Sequence, residues 1–153
     1  VFATYQTPDG LNAMIYNRCV GTRYCSNNCI FKQRRFNYRT YDFPNPLHLQ
    51  LNPAVTVREK GVMEKCTFCQ QRIREIKDTA KDQNREIKDG ELQTACQQVC
   101  PTQAITFGNV LDKNSRISQV KSDTRRGYKQ LAEMNYQPAV LYLKKINHKH
   151  RKA

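Results

Sequence analysis

Seven cysteines fall into two runs, and their spacing suits metal ligation. The first run is Cys19, Cys25 and Cys29, within Cys-Val-Gly-Thr-Arg-Tyr-Cys-Ser-Asn-Asn-Cys. The second opens as Cys66-Thr-Phe-Cys69 and, after an insertion, closes as Cys96-Gln-Gln-Val-Cys100-Pro101. The run that wraps iron–sulfur cubanes is Cys-x2-Cys-x2-Cys-x3-Cys-Pro. A tight loop holds three corners, and the fourth cysteine reaches a neighbouring cluster. Thiolates suit that chemistry because soft sulfur binds iron in such clusters. An odd number of cysteines argues against a disulfide framework, which uses them in pairs.

The first run departs from the pattern twice: Thr22 stands where the second cysteine belongs, and Ile30 where the proline belongs. A hydroxyl is a poor iron ligand beside a thiolate, so the missing corner points to a 3Fe–4S cluster. The alternative keeps four irons, with water or a hydroxyl on the open corner. The second run keeps the Cys-x3-Cys-Pro close and only delays its third ligand. A structural zinc site with four cysteines competes for it. Zinc ribbons, however, favour two Cys-x2-Cys knuckles, and zinc alone leaves Cys19, Cys25 and Cys29 without a role. Counting ligands under the exchange of fourth cysteines, Cys19, Cys25 and Cys100 hold a three-iron cluster. Cys66, Cys69, Cys96 and Cys29 then hold a 4Fe–4S cluster, giving a self-contained two-cluster ferredoxin that uses every cysteine.

The elements that must position these residues are short. Residues 2–16 read as a β-hairpin, with Thr7-Pro8-Asp9-Gly10 as its turn and Leu11, Ala13 and Ile15 alternating on the second arm. Residues 30–62 are basic, aromatic and broken by Pro44, Pro46 and Pro53, which predicts an extended wrap over a partner. A helix is predicted over 70–89, with Ile73, Ile76, Ala80 and Ile87 on one narrow stripe and Gly90 as its stop. Its charges pair as Asp78–Lys81 and Asp82–Arg85, and it reads as a solvated insertion. A short strand is expected at 104–107, a helix over 121–134 and a strand at 139–143, ahead of a frayed basic tail.

With 153 residues and a hydrophobic fraction of 39%, the chain fits one domain whose own core is thin. The mean hydropathy is -0.79, and no run approaches the roughly 20 apolar residues of a membrane helix. No apolar signal segment is present, and the first residue is Val1, so a fragment or processed chain is expected. The formal charge is +13, which invites a nucleic-acid or anionic-lipid reading. Cluster thiolates would cancel part of that excess. The stretch Phe31-Lys-Gln-Arg34-Arg35-Phe36-Asn-Tyr38-Arg39 has the residues to clamp single strands, or else packs on a partner subunit. Arg35 is the arginine expected to raise the potential of a nearby cluster. His48, His148 and His150 read as surface residues, and no nucleophile–base constellation is present, so no catalytic residue is expected.

The stretches MIYNRCVGTRYCSNNCIFKQRRFNY, GVMEKCTFCQQRI and TACQQVCPTQAITFG resemble the iron–sulfur subunits of the complex iron–sulfur molybdoenzymes. The likeness is strongest to the iron–sulfur subunit of alternative complex III, a bacterial quinol-oxidising respiratory complex, and covers residues 1–143. It implies an α+β, bacterial ferredoxin-like cluster-binding domain over 1–120, with 121–153 docking on partners. Only the third and fourth of the family's four cysteine runs are resembled, so the chain is expected to begin just after the second.

The resemblance implies a different partition from ligand counting. Cys19 and Cys25 bind the 3Fe–4S cluster with a cysteine from outside the chain. Cys66, Cys69 and Cys96 bind a 4Fe–4S cluster, and Cys29 and Cys100 reach neighbouring 4Fe–4S clusters. It further implies single electrons passing from quinol through the three-iron cluster, along the 4Fe–4S clusters and on to haem subunits. The implied partners are the remainder of the iron–sulfur subunit, a quinone-binding integral membrane subunit and multihaem cytochrome c subunits, with no nucleic acid. The implied place is the outer, periplasmic face of the bacterial cytoplasmic membrane, peripheral to it.

Overall fold

A computed structural model describes residues 2–122 and 125–146, and the chain divides into two compact units, Val1–Gln83 and Asn84–Ala153. The first unit opens with the expected hairpin, β1 (Thr4–Gln6) against β2 (Asn12–Met14), paired antiparallel with Tyr5 opposite Ala13. Its turn closes through Gly10 N–H to the Thr7 carbonyl at 2.9 Å, with Gly10 at a φ of +77° that favours glycine. The apolar alternation differs from expectation. Ala13 and its neighbour Met14 are both buried, because the ribbon is covered on both faces.

A four-residue helix α1 (Tyr24–Asn27) lies between Cys19 and Cys29. Beyond it, no residue from 30 to 62 is fully buried. One pairing was not foreseen: β3 (Arg35–Phe36) joins β4 (Met63–Glu64) antiparallel. Helix α2 (Gln70–Asp82) follows, shorter than the predicted 70–89. It buries Ile73 and Ala80, but Ile87 is exposed, so the stripe has nothing to pack on after Ala80. Asn84 takes a left-handed φ of 48°, and Arg85 turns to Glu91 at 2.8 Å instead of pairing with Asp82. Gly90 therefore lies beyond the helix end. Lys77 pairs with Asp9, tying α2 to the hairpin turn.

The second unit holds α3 (Ala95–Gln98), α4 (Arg116–Ser122) and an antiparallel ribbon of β5 (Gly127–Tyr128) with β6 (Tyr142–Leu143). The strand expected at 104–107 does not form; its first N–H, that of Ala104, is turned to a sulfur, as described below. The helix expected over 121–134 is displaced. It starts at Arg116 because buried Ser115 receives the Ser118 N–H on its hydroxyl at 3.3 Å, a capping contact. Past residue 124 the backbone turns into β5, leaving a three-residue 3-10 turn at Ala132–Met134. The strand expected at 139–143 is present as its last two residues. The basic tail expected to fray from residue 144 is held at its start, where Lys144 donates its N–H to the Arg126 carbonyl at 2.9 Å; the positions past 146, His148 and His150 among them, lie outside the described residues. His48 is exposed on a 3-10 turn, Leu47–Gln50, as expected.

Candidate metal centre

The loop of the first run is held by a close backbone approach. Gly21 has a φ of +72°, and a Cβ placed there would lie 2.3 Å from the Gly61 carbonyl oxygen. Only glycine fits at this point. The contact brings residues 61–63 against the loop, and Met63 donates its N–H to the Cys19 sulfur at 3.3 Å. Arg23, left-handed at a φ of 60°, then starts α1. The result is a cleft lined by Cys19, Gly21, Thr22 and Cys25, with Ala3, Met14 and Met63 behind them. Cys19 and Cys25 thus share one cleft, and Thr22 lies on its wall.

Behind the loop, Arg34 points inward and clamps the hairpin. Its guanidinium donates to Asn12 Oδ1 at 2.6 Å, to Met14 Sδ at 3.1 Å and to Thr4 Oγ1 at 3.4 Å. Arg35, which sequence reasoning favoured for a role near a cluster, is exposed. Arg23 sits over the Phe36 ring, 5.1 Å from its centre, and Phe36 meets Tyr38 edge to face. Arg34, Phe36 and Tyr38 of the basic, aromatic stretch are thereby engaged within the unit.

Cys66 and Cys69 are brought round by two successive left-handed residues, Phe68 at a φ of 54° and Cys69 at 55°. Phe68 donates its N–H to the Cys66 sulfur at 3.4 Å. Cys69 immediately precedes α2, so its thiolate would meet the positive end of the helix. The insertion read as solvated therefore begins directly after a candidate ligand. Nearby, the Arg58 guanidinium stacks over Tyr16, 4.7 Å from the ring centre, and pairs with Glu64. Burial raises the Tyr16 phenol above its ordinary pKa, Arg58 opposes the rise, and Glu64 and Cys66 add to it.

In the second unit Cys96 is the second residue of α3, and Cys100 lies two residues past its end. Thr94, buried, caps the helix by accepting the Gln97 N–H at 3.4 Å, and its hydroxyl lies 3.3 Å from the Cys96 sulfur. The Cys100 sulfur lies 3.4 Å from the Thr102 hydroxyl and accepts the Ala104 N–H at 3.4 Å. These contacts pull the Cys100 thiol below its ordinary pKa, the Thr102 hydroxyl most of all, then the Ala104 N–H. They also explain the missing strand, since N–H groups spent on sulfur cannot join a ladder.

No disulfide joins any of the seven cysteines. Among the described residues, no three His, Cys, Asp or Glu gather closely enough to hold a single metal ion. The donor set fits iron–sulfur clusters: seven uncrosslinked thiols, three of which receive backbone N–H groups of the kind that tune such centres. Sequence reasoning missed the roles of Gly21, Arg34 and Thr102. Gly21, between two ligands, and Thr102, directly after Cys-Pro, carried a local signal; Arg34 acts across the fold.

No family model matches the chain, but several known proteins resemble it. The chain is 34% identical over 137 residues to the menaquinone reductase iron–sulfur cluster-binding subunit of Nitratidesulfovibrio vulgaris, covering 88% of the chain and 53% of that protein. It is 37% identical over 122 residues to the Hdr-like menaquinol oxidoreductase iron–sulfur subunit 1 of Archaeoglobus fulgidus, covering 77% and 40%. It is also 33% identical over 145 residues to the iron–sulfur subunit of a putative dimethyl sulfoxide reductase from Halobacterium salinarum, covering 94% and 47%. Its homologues are iron–sulfur subunits of oxidoreductase complexes. The chain spans about half the length of these curated relatives. No helix of the described residues is long and apolar enough to cross a membrane.

Proposed function

We propose that the chain is the electron-relay part of an iron–sulfur subunit in a membrane-associated, quinone-linked respiratory complex, without a catalytic site of its own. The observation that carries this reading is the cleft shared by Cys19 and Cys25, with Thr22 in place of the missing cysteine. Iron–sulfur clusters, when bound, supply one-electron transfer. The task of the chain is to hold and tune them. Cys19 and Cys25 bind a 3Fe–4S cluster with one ligand from outside the chain. Cys66, Cys69 and Cys96 bind a 4Fe–4S cluster, while Cys29 and Cys100 reach neighbouring 4Fe–4S clusters. The N–H groups of Met63, Phe68 and Ala104 orient their sulfurs and favour the thiolate form. Ala3, Met14 and Met63 exclude water from the back of the cleft.

The fold we propose is ferredoxin-like α+β, with residues 1–120 binding clusters and 121–153 docking on partners. Those partners are the rest of the subunit, a quinone-binding integral membrane subunit and multihaem cytochrome c subunits, at the periplasmic face of the cytoplasmic membrane. Electrons enter from quinol on the Cys19–Cys25 side and leave towards haem, as in alternative complex III. Two relatives, a menaquinone reductase and a menaquinol oxidoreductase, support a quinone as the partner, though their names give opposite directions.

Low-temperature EPR after anaerobic reconstitution of the chain, extended upstream to the length of its relatives, tests the reading. An oxidised three-iron signal is expected, and Thr22→Cys should replace it with a four-iron signal seen only after dithionite. A Thr22→Cys protein that keeps the three-iron signal would sink the assignment of that corner. The self-contained two-cluster pairing is a second reading, favoured by the ligand count, which it closes with all seven cysteines of the chain. Full cluster loading of the isolated chain would decide for it.

A further inference from the structure

Residues 58–64 carry two contacts on which the first cysteine run depends. Gly21 rests against Gly61, and Met63 supplies the N–H that reaches the Cys19 sulfur at 3.3 Å. One half-buried side chain, Arg58, ties this segment down. Its guanidinium pairs with Glu64, joining the two ends of the segment, and donates to the Thr56 carbonyl. The same guanidinium sits over the Tyr16 ring, 4.7 Å from its centre. Tyr16 opens a 3-10 turn, Tyr16–Arg18, and its carbonyl accepts the Cys19 N–H at 3.0 Å. Arg58 therefore links the residue that holds the Cys19 backbone to the strand β4 that holds the Cys19 sulfur.

A planar guanidinium can serve an ion pair, a carbonyl and an aromatic face at once, which a point-charge ammonium does less well. A lone ion pair near the surface would hold little. Three contacts on one side chain fix its geometry, and the segment with it. Hydrogen bonds to the sulfurs are one lever on cluster potential, because they stabilise the negative charge that an added electron brings. We propose that Arg58 is a positioning residue for the first cluster site. Bracketed between Tyr16 and Glu64, it keeps the Met63 N–H on the Cys19 sulfur and so raises the potential of the cluster bound there. This deepens the proposed function and rests on its reading of Cys19 as a ligand.

The test combines an EPR-monitored redox titration of the full-length subunit with amide hydrogen exchange on peptides spanning Met63. Arg58→Met removes the bracket, Tyr16→Leu removes its ring without touching any charge, and Tyr16→Phe keeps the ring. Arg58→Met and Tyr16→Leu should both speed exchange at Met63 and shift the three-iron midpoint to lower potential, while Tyr16→Phe stays with the parent. A lower midpoint in Arg58→Met alone, with Met63 still protected, overturns the proposal, since the lost charge would then act directly. An equal shift in Tyr16→Phe overturns it too, because the phenol and not the stacked ring would matter. Faster exchange with an unmoved midpoint overturns the tuning. If the two disruptive variants lose their clusters, exchange at Met63 decides, and protection equal to the parent's overturns the bracket. A parent without a three-iron signal sinks the ligand reading, whereas faster exchange in those variants would still uphold the bracket.

Discussion

The two units carry the same kind of ligand and hold it by different means. In Val1–Gln83, Cys19 depends on residues far along the chain: Met63 reaches its sulfur across 44 positions, and Gly21 rests on Gly61. This unit has a small apolar core of Ala3, Ala13, Met14, Met63, Ile73 and Ala80. In Asn84–Ala153 the fully buried described residues are Thr94 and Ser115, both polar, while Val99 and Leu111 are 77% and 86% exposed. The sulfurs of Cys96 and Cys100 meet Thr94, Thr102 and Ala104, at most four residues away. Cys19 is placed by tertiary packing, Cys96 and Cys100 by local hydrogen bonds. A unit with no apolar core among its described residues relies on local hydrogen bonds, bound clusters and partners to hold its shape.

The largest effect should come from breaking the tertiary clasp. Gly21→Ala combines a strained left-handed backbone, costing about 1–3 kcal/mol, with a Cβ driven into the Gly61 carbonyl. Gly10→Ala is the matched control, since Gly10 also has positive φ, at +77°, but its Cβ would meet nothing within 4 Å. Gly21→Ala should lose most of the three-iron EPR signal and melt well below the control. If the two variants melt together with equal cluster content, the close approach is not what places Cys19.

Arg34 gives a smaller break on the same side of the comparison. Its charged donors bridge the hairpin to β3, and hydrogen bonds to charged groups contribute about 1.5–3 kcal/mol where buried. Arg34 is only partly buried, so Arg34→Met should cost about 1–2 kcal/mol in urea denaturation. Arg35→Met, at an exposed site, should cost nearly nothing. Equal losses would mean that the clamp is not specific to Arg34.

Legibility in the sequence follows the same division. The hairpin was readable because Pro8-Asp9-Gly10 is a local turn signal, and the cysteines were readable because ligand spacing is local too. The end of α2 was misread since Ile87 keeps the helical period, although no neighbour buries it and Arg85 is drawn to Glu91. Residues 104–107 have strand-forming side chains, but strand propensity takes no account of a sulfur that claims the Ala104 N–H. The start of α4 lay with Ser115, a cap overlooked beside the charged run that follows. Gly21 on Gly61 could not be read at all, because such a contact exists only once distant segments meet.

The smallest expected effect sharpens the comparison from the local side. Thr102 is the main cause of the lowered Cys100 pKa, so Thr102→Val should raise it. Folding that lowers a thiol pKa adds stability above the pH where the unfolded thiol ionises. That contribution disappears as pH falls through the folded value. In the metal-free chain, alkylation of Cys100 followed by peptide mapping should therefore reach half-reaction at a higher pH in Thr102→Val than in the parent. The shift should survive in Gly21→Ala, because the Thr102 and Ala104 contacts need nothing from the first unit. Were it to vanish there, the Cys100 segment would be held by tertiary structure after all, and the contrast between the two units would fail.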